Sequence, residues 1–140
     1  MNLYKLHSNP EILDGFDQRT DVPEILEDLA WTKQEPAIEQ KIMKDPKLAY
    51  HYARRFFKGV GWPAAEKYIM KDPVAAYYYA KFVLEEPWPA AEKYIITDPL
   101  SASWYAIDVL KRRWPAAEDD IIEDGRWWND YTDYFPEAKR

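Results

Sequence analysis

Residues 63–88, PAAEKYIMKDPVAAYYYAKFVLEEPW, and residues 89–114, PAAEKYIITDPLSASWYAIDVLKRRW, are two copies of one pattern. A looser copy stands before them at 36–62, PAIEQKIMKDPKLAYHYARRFFKGVGW. A fourth opens at Pro115 with PAAEDDIIEDGRWWNDYTDYFPEAKR, covering 115–140. The opening prolines Pro36, Pro63, Pro89 and Pro115 recur every 26 or 27 residues, the kind of period that marks a repeat architecture. One period upstream, Pro10 opens a degenerate unit over 10–35. The spacing predicts one domain over 1–140, with three regular repeats between atypical terminal units that cap an otherwise exposed apolar edge.

Each unit reads as two helices. The first begins at the repeat's proline, whose missing N–H costs nothing at the first helical position. It is expected to end near Asp45, Asp72, Asp98 or Asp124. In three units that aspartate precedes a proline (Pro46, Pro73, Pro99), a two-part helix start: the carboxylate caps free N–H groups and the ring presets φ. The second helix is expected to run to Lys58, Leu84 or Arg112, stopped because the next proline disfavours helix at Trp62, Trp88 or Trp114. In that helix Ala76, Tyr79, Ala80, Val83 and Leu84 fall on one face, as do their equivalents from Ala49 and from Ala102. Small alanines beside large tyrosines let neighbouring helices interlock. The pattern therefore predicts an all-α solenoid of stacked two-helix repeats. Glu39, Glu66, Glu92 and Glu118 recur in the first turn of each first helix. They are read as structural groups that favour the helix dipole and can accept from free N–H groups or buried tyrosine hydroxyls.

The phrases WPAAEKYIMKDPVAAYYYA and WPAAEKYIITDP resemble the tandem WPEAE/DP/AYxYA helical repeats of proteins encoded by large tailed bacteriophages. The resemblance spans Pro36 to the end. The terminal units and Gly61 depart from it. It implies a viral source, action in the cytoplasm of an infected bacterial host, and a host or phage protein as partner. It carries over no catalytic residue.

The composition narrows the classes further. Of 140 residues 47% are hydrophobic, which excludes wholesale disorder, and 7 Trp and 11 Tyr supply large rings for a core. No cysteine is present, which excludes disulfides and thiolate chemistry. No run of about 18 apolar residues and no leader-like N-terminus is found, so no membrane association is expected. No nucleophile elbow, phosphate loop, dinucleotide fingerprint or zinc-protease motif occurs, and the two histidines, His7 and His51, lie in no recognisable motif. The expectation is a non-catalytic protein without metal or cofactor.

Net charge is −6, distributed as acidic ends (−5 over 1–35 and −5 over 115–140) around a unit, 36–62, of +4. On a helical wheel Tyr78 lies opposite the apolar stripe, together with its equivalents His51 and Trp104. Arg54, Lys58, Lys81 and Lys111 stand near them. Exposed rings beside cations are the usual make-up of a binding hot spot, so these seven residues form the expected partner-binding face. Asp119, Asp120, Glu123 and Asp124 form a second, acidic candidate surface for a basic partner. The leading expectation is a protein-binding module, an inhibitor or adaptor of phage type. The alternative is a nucleotide or single-stranded nucleic-acid binder, with Tyr78 and Trp104 stacking on bases and the cations meeting phosphates.

Overall fold

A computed structural model describes Gln34 and residues 36–139. The degenerate unit over 10–35 therefore lies outside the described residues. Among these residues the chain is all-helical, with eight α-helices and no strand. They run as α1 (Pro36–Ile42), α2 (Pro46–Phe56), α3 (Pro63–Ile69), α4 (Pro73–Tyr79), α5 (Pro89–Ile95), α6 (Pro99–Tyr105), α7 (Pro115–Asp124) and α8 (Trp128–Tyr134). Each regular unit contributes a pair, α1–α2, α3–α4 and α5–α6. Second helices pack side by side, α2 on α4, α4 on α6 and α6 on α8, and each also contacts the first helix of the following pair. No helix among the described residues is long and apolar enough to cross a membrane.

The Asp-Pro junctions act as the sequence predicts. Asp45 accepts from the N–H groups of Lys47 and Leu48 at 3.1 and 3.2 Å, and Asp72 accepts from Val74 and Ala75 at 3.0 and 3.2 Å. Asp98 accepts from the Ser101 N–H at 3.2 Å and from its hydroxyl at 2.6 Å. First helices nevertheless stop short of these aspartates, at Ile42, Ile69 and Ile95. The reason is the following proline, which holds Asp45 and Asp72 extended at φ −103° and −104°. A tight turn takes up the intervening residues, each aspartate N–H donating to the isoleucine carbonyl three residues back. Only α7, which has Gly125 in place of the proline, runs through to its aspartate.

The second helix of 63–88 reaches Leu84 as expected, while those of 36–62 and 89–114 stop at Phe56 and Leu110, two residues short of Lys58 and Arg112. In 63–88 and 89–114 the last turn widens to π-helix, over Ala80–Leu84 and Ala106–Leu110. Glu85 and Lys111 then adopt left-handed φ of 59° and 57°. The Lys111 N–H closes that turn on the Ala106 carbonyl at 2.8 Å, five residues back. Unit 36–62 instead ends α2 at Phe56 and turns through Gly59 and Gly61, at φ 81° and 92°. Gly61 is needed for close approach as well as for its φ. A Cβ there would lie 3.2–3.3 Å from Leu84, Glu66 Oε2 and the Tyr79 hydroxyl.

The core is built on the predicted stripe. Tyr52, Tyr79, Tyr105 and Tyr131 are fully buried, as are Ala49, Ala53, Ala76, Ala80 and Ala106, while Phe56, Phe57, Leu84 and Leu110 are half-buried. Each tyrosine hydroxyl donates to the recurring glutamate of its own unit: Tyr52 to Glu39, Tyr79 to Glu66 and Tyr131 to Glu118 at 2.6 Å, and Tyr105 to Glu92 at 2.8 Å. The same oxygen accepts the N–H of the tryptophan that closes the unit before, Trp62 to Tyr79 at 2.7 Å, Trp88 to Tyr105 and Trp114 to Tyr131 at 2.8 Å. Each tryptophan ring packs on the tyrosine of its own unit, Trp62 on Tyr52, Trp88 on Tyr79 and Trp114 on Tyr105. One residue thus ties two units, its ring held by the unit it closes and its N–H by the unit that follows.

Candidate functional site

The second helices expose a groove between α4 and α6. It encloses a cavity of about 360 Å³. Val74 and Leu100, the second residues of α4 and α6, are 38% and 36% exposed and form an apolar lip. Half-buried Tyr78 and Trp104 supply aromatic walls. At the far end Tyr77, Lys81 and Asp108 meet: Lys81 Nζ lies 3.1 Å from Asp108 Oδ2, and the Tyr77 hydroxyl donates to the same oxygen. Helical spacing explains the convergence. Tyr77 and Lys81 are one turn apart on one wall, and Trp104 and Asp108 one turn apart on the other. Burial, reinforced by the hydrogen bond to Asp108, pushes the Tyr77 phenol far above its ordinary range. It is a fixed donor at physiological pH, not a base. Lys81 also lies 4.9 Å from the centre of the Phe82 ring, a cation–π distance.

Three of the seven expected face residues, Tyr78, Lys81 and Trp104, line this groove, and the other four do not. His51 is a correction. The wheel puts it on the solvent face, but it is only 7% exposed, with its ring 4.5 Å from that of Tyr50. Burial, with the nearby Arg54 charge, lowers its pKa to about 4 and keeps the imidazole neutral. The stacked row is also different from the one expected. Tyr78 stacks on Tyr50 at 5.7 Å and on Phe82 at 6.0 Å, whereas Trp104 sets an edge against Tyr134 at 6.4 Å. Packing of α4 against α2 fills the space that an isolated helix would leave to solvent. Arg54 lies 4.5 Å over the Phe82 ring, and its Nη1 is 3.5 Å from the Tyr50 hydroxyl. Lys58 is exposed, 3.8 Å from Glu85, and exposed Lys111 occupies the left-handed turn after the π-helix.

Sequence reasoning missed Tyr77, Asp108, Val74 and Leu100. The available signal was a break in the repeat: Asp108 stands where the preceding units have Phe82 and Arg55. A carboxylate in place of a ring and a guanidinium changes what the face can hold.

A second cavity, of about 370 Å³, is lined by Thr97, Pro99, Asp120, Glu123 and Asp124. It gathers three of the four acidic candidates; Asp119 is exposed but does not line it. Asp124 is engaged by Arg126 at 2.8 Å, which lowers its pKa. Among the described residues no group of three or more histidine, cysteine, aspartate or glutamate side chains is placed to hold a metal ion.

No protein-family model, curated protein or solved structure matches the chain. The likeness to the phage repeats rests on its motif residues alone.

Proposed function

We propose that the chain is a non-catalytic protein-binding module, a solenoid of stacked two-helix repeats that presents the groove between α4 and α6 to a partner. One observation carries the reading. The groove is where the repeat is broken outward, combining an apolar lip, two half-buried rings and one ion pair in a concavity large enough to seat side chains. The resemblance to phage repeats suggests a host protein as partner, with inhibition or adaptor action as the outcome.

Nucleic-acid binding is supported less well. Of the cations meant to meet phosphates, Lys81 is paired with Asp108 and Arg54 is spread over Phe82. The test is affinity capture from bacterial lysate with and without nuclease, followed by titration of the captured protein. A nuclease-insensitive partner that binds Trp104→Ala more weakly by at least about 2 kcal/mol supports the reading. Capture that disappears with nuclease, or oligonucleotide binding with steep salt dependence, would move the assignment to nucleic acid.

A further inference from the structure

We infer that the segment entering the groove is a basic one, seating a large apolar side chain between Tyr78 and Trp104 and directing lysine or arginine onto Asp120 and Glu123. The inference rests on the groove being the binding face, and adds the partner's chemistry. It follows from how the two cavities adjoin. Leu100 closes the apolar groove, and the residue before it, Pro99, lines the acidic cavity. A chain lying over the start of α6 therefore passes from one cavity to the other.

The charges along that path are unequal. Inside the groove Lys81 and Asp108 neutralise each other at 3.1 Å, which leaves a binding surface without net charge, its rings and aliphatic carbons interspersed with the polar atoms of Tyr77 and Ser101. Beyond Pro99, Asp124 is engaged by Arg126, while Asp120 and Glu123 are exposed, within a unit of net charge −5. The complement to a neutral slot with aromatic walls and an apolar lip, beside an acidic rim, is an apolar anchor next to cations. Rim charges of this kind steer encounter and set orientation. A phosphate-bearing polymer or an anionic lipid surface carries the wrong sign for that rim.

The test uses the full chain and a random short-peptide library. Enriched peptides are titrated against the native protein, Trp104→Ala and the double variant Asp120→Lys/Glu123→Lys. Both acidic positions are exposed, and a thermal melt of the double variant controls for folding. The expected peptides carry lysine or arginine beside leucine or an aromatic residue. Their affinity falls about tenfold or more in each variant, and falls with added salt. Peptides that need Trp104 but are neutral or acidic, or that bind the double variant undiminished, would overturn the basic partner while leaving the groove as the binding face. Enriched peptides indifferent to Trp104→Ala, or no enrichment at all, would sink both.

Discussion

The inner seam and the outer groove follow opposite rules. In the seam the same Glu–Tyr pair recurs from Glu39–Tyr52 to Glu118–Tyr131, with hydroxyl-to-carboxylate distances of 2.6–2.8 Å throughout. On the second helices away from the seam the corresponding positions, several of them buried, change from unit to unit: Tyr50, Tyr77, Ser103; His51, Tyr78, Trp104; Arg55, Phe82, Asp108. The seam has no freedom to vary. Its tyrosine is fully buried, and a buried hydroxyl that loses its partner costs about 1–3 kcal/mol. The outer face carries no such demand at every unit, so its chemistry can differ. What repeats holds the helices together; what breaks the repeat is where a partner can be specified.

Substitutions can separate the two regions. Tyr79→Ala, in the seam, should cost about 3–5 kcal/mol in urea unfolding, since it removes a buried ring and strands Glu66 and the Trp62 N–H. A small loss would mean the seam does not hold the fold.

Acid should act through the buried imidazole of His51. Its folded pKa of about 4 lies below the ordinary 6.5, so the unfolded chain binds the proton more readily. Stability is complete above pH 6.5 and declines as pH falls towards 4, by up to about 3 kcal/mol. His51→Gln should flatten that part of the unfolding profile. An unchanged slope would mean the imidazole is not buried.

Alkali should act through the seam. Burial is the main cause that raises the Tyr79, Tyr105 and Tyr131 phenols above the ordinary 10, Tyr131 to about 12. Their contribution is intact below pH 10 and is lost as pH rises past it, because the unfolded chain releases those protons first. The urea midpoint should drop between pH 10 and 12. Ultraviolet titration should show a class of tyrosines ionising late. Normal titration of all of them would break the seam.

In the groove, Asp108→Ala should cost only about 1 kcal/mol, since the pair it breaks is partly solvated. A loss as large as that of Tyr79→Ala would make the groove structural. Smallest of all, Lys67→Ala on exposed α3 surface should stay within about 0.5 kcal/mol.

The repeat period, the two helices per unit, the Asp-Pro caps and the buried Ala/Tyr stripe were all legible in the sequence. They depend on local chemistry: proline's fixed φ, carboxylate capping and the 3.6-residue period act within a few residues of chain. The glutamates' structural role was legible too, because a first-turn carboxylate near a buried phenol has few other uses. The exact helix ends, the π-turns and the left-handed Glu85 and Lys111 were not, since they arise where one pair of helices must meet the next. A single-helix wheel carries no information about neighbouring helices. It therefore puts His51 in solvent and passes over Tyr77, because it cannot show that α4 lies against α2, or that Asp108 of one unit comes within reach of Tyr77 and Lys81 of the unit before. Residues 31 and 27 positions apart in the chain meet only when helices pack, and only the tertiary structure decides which of them share a groove.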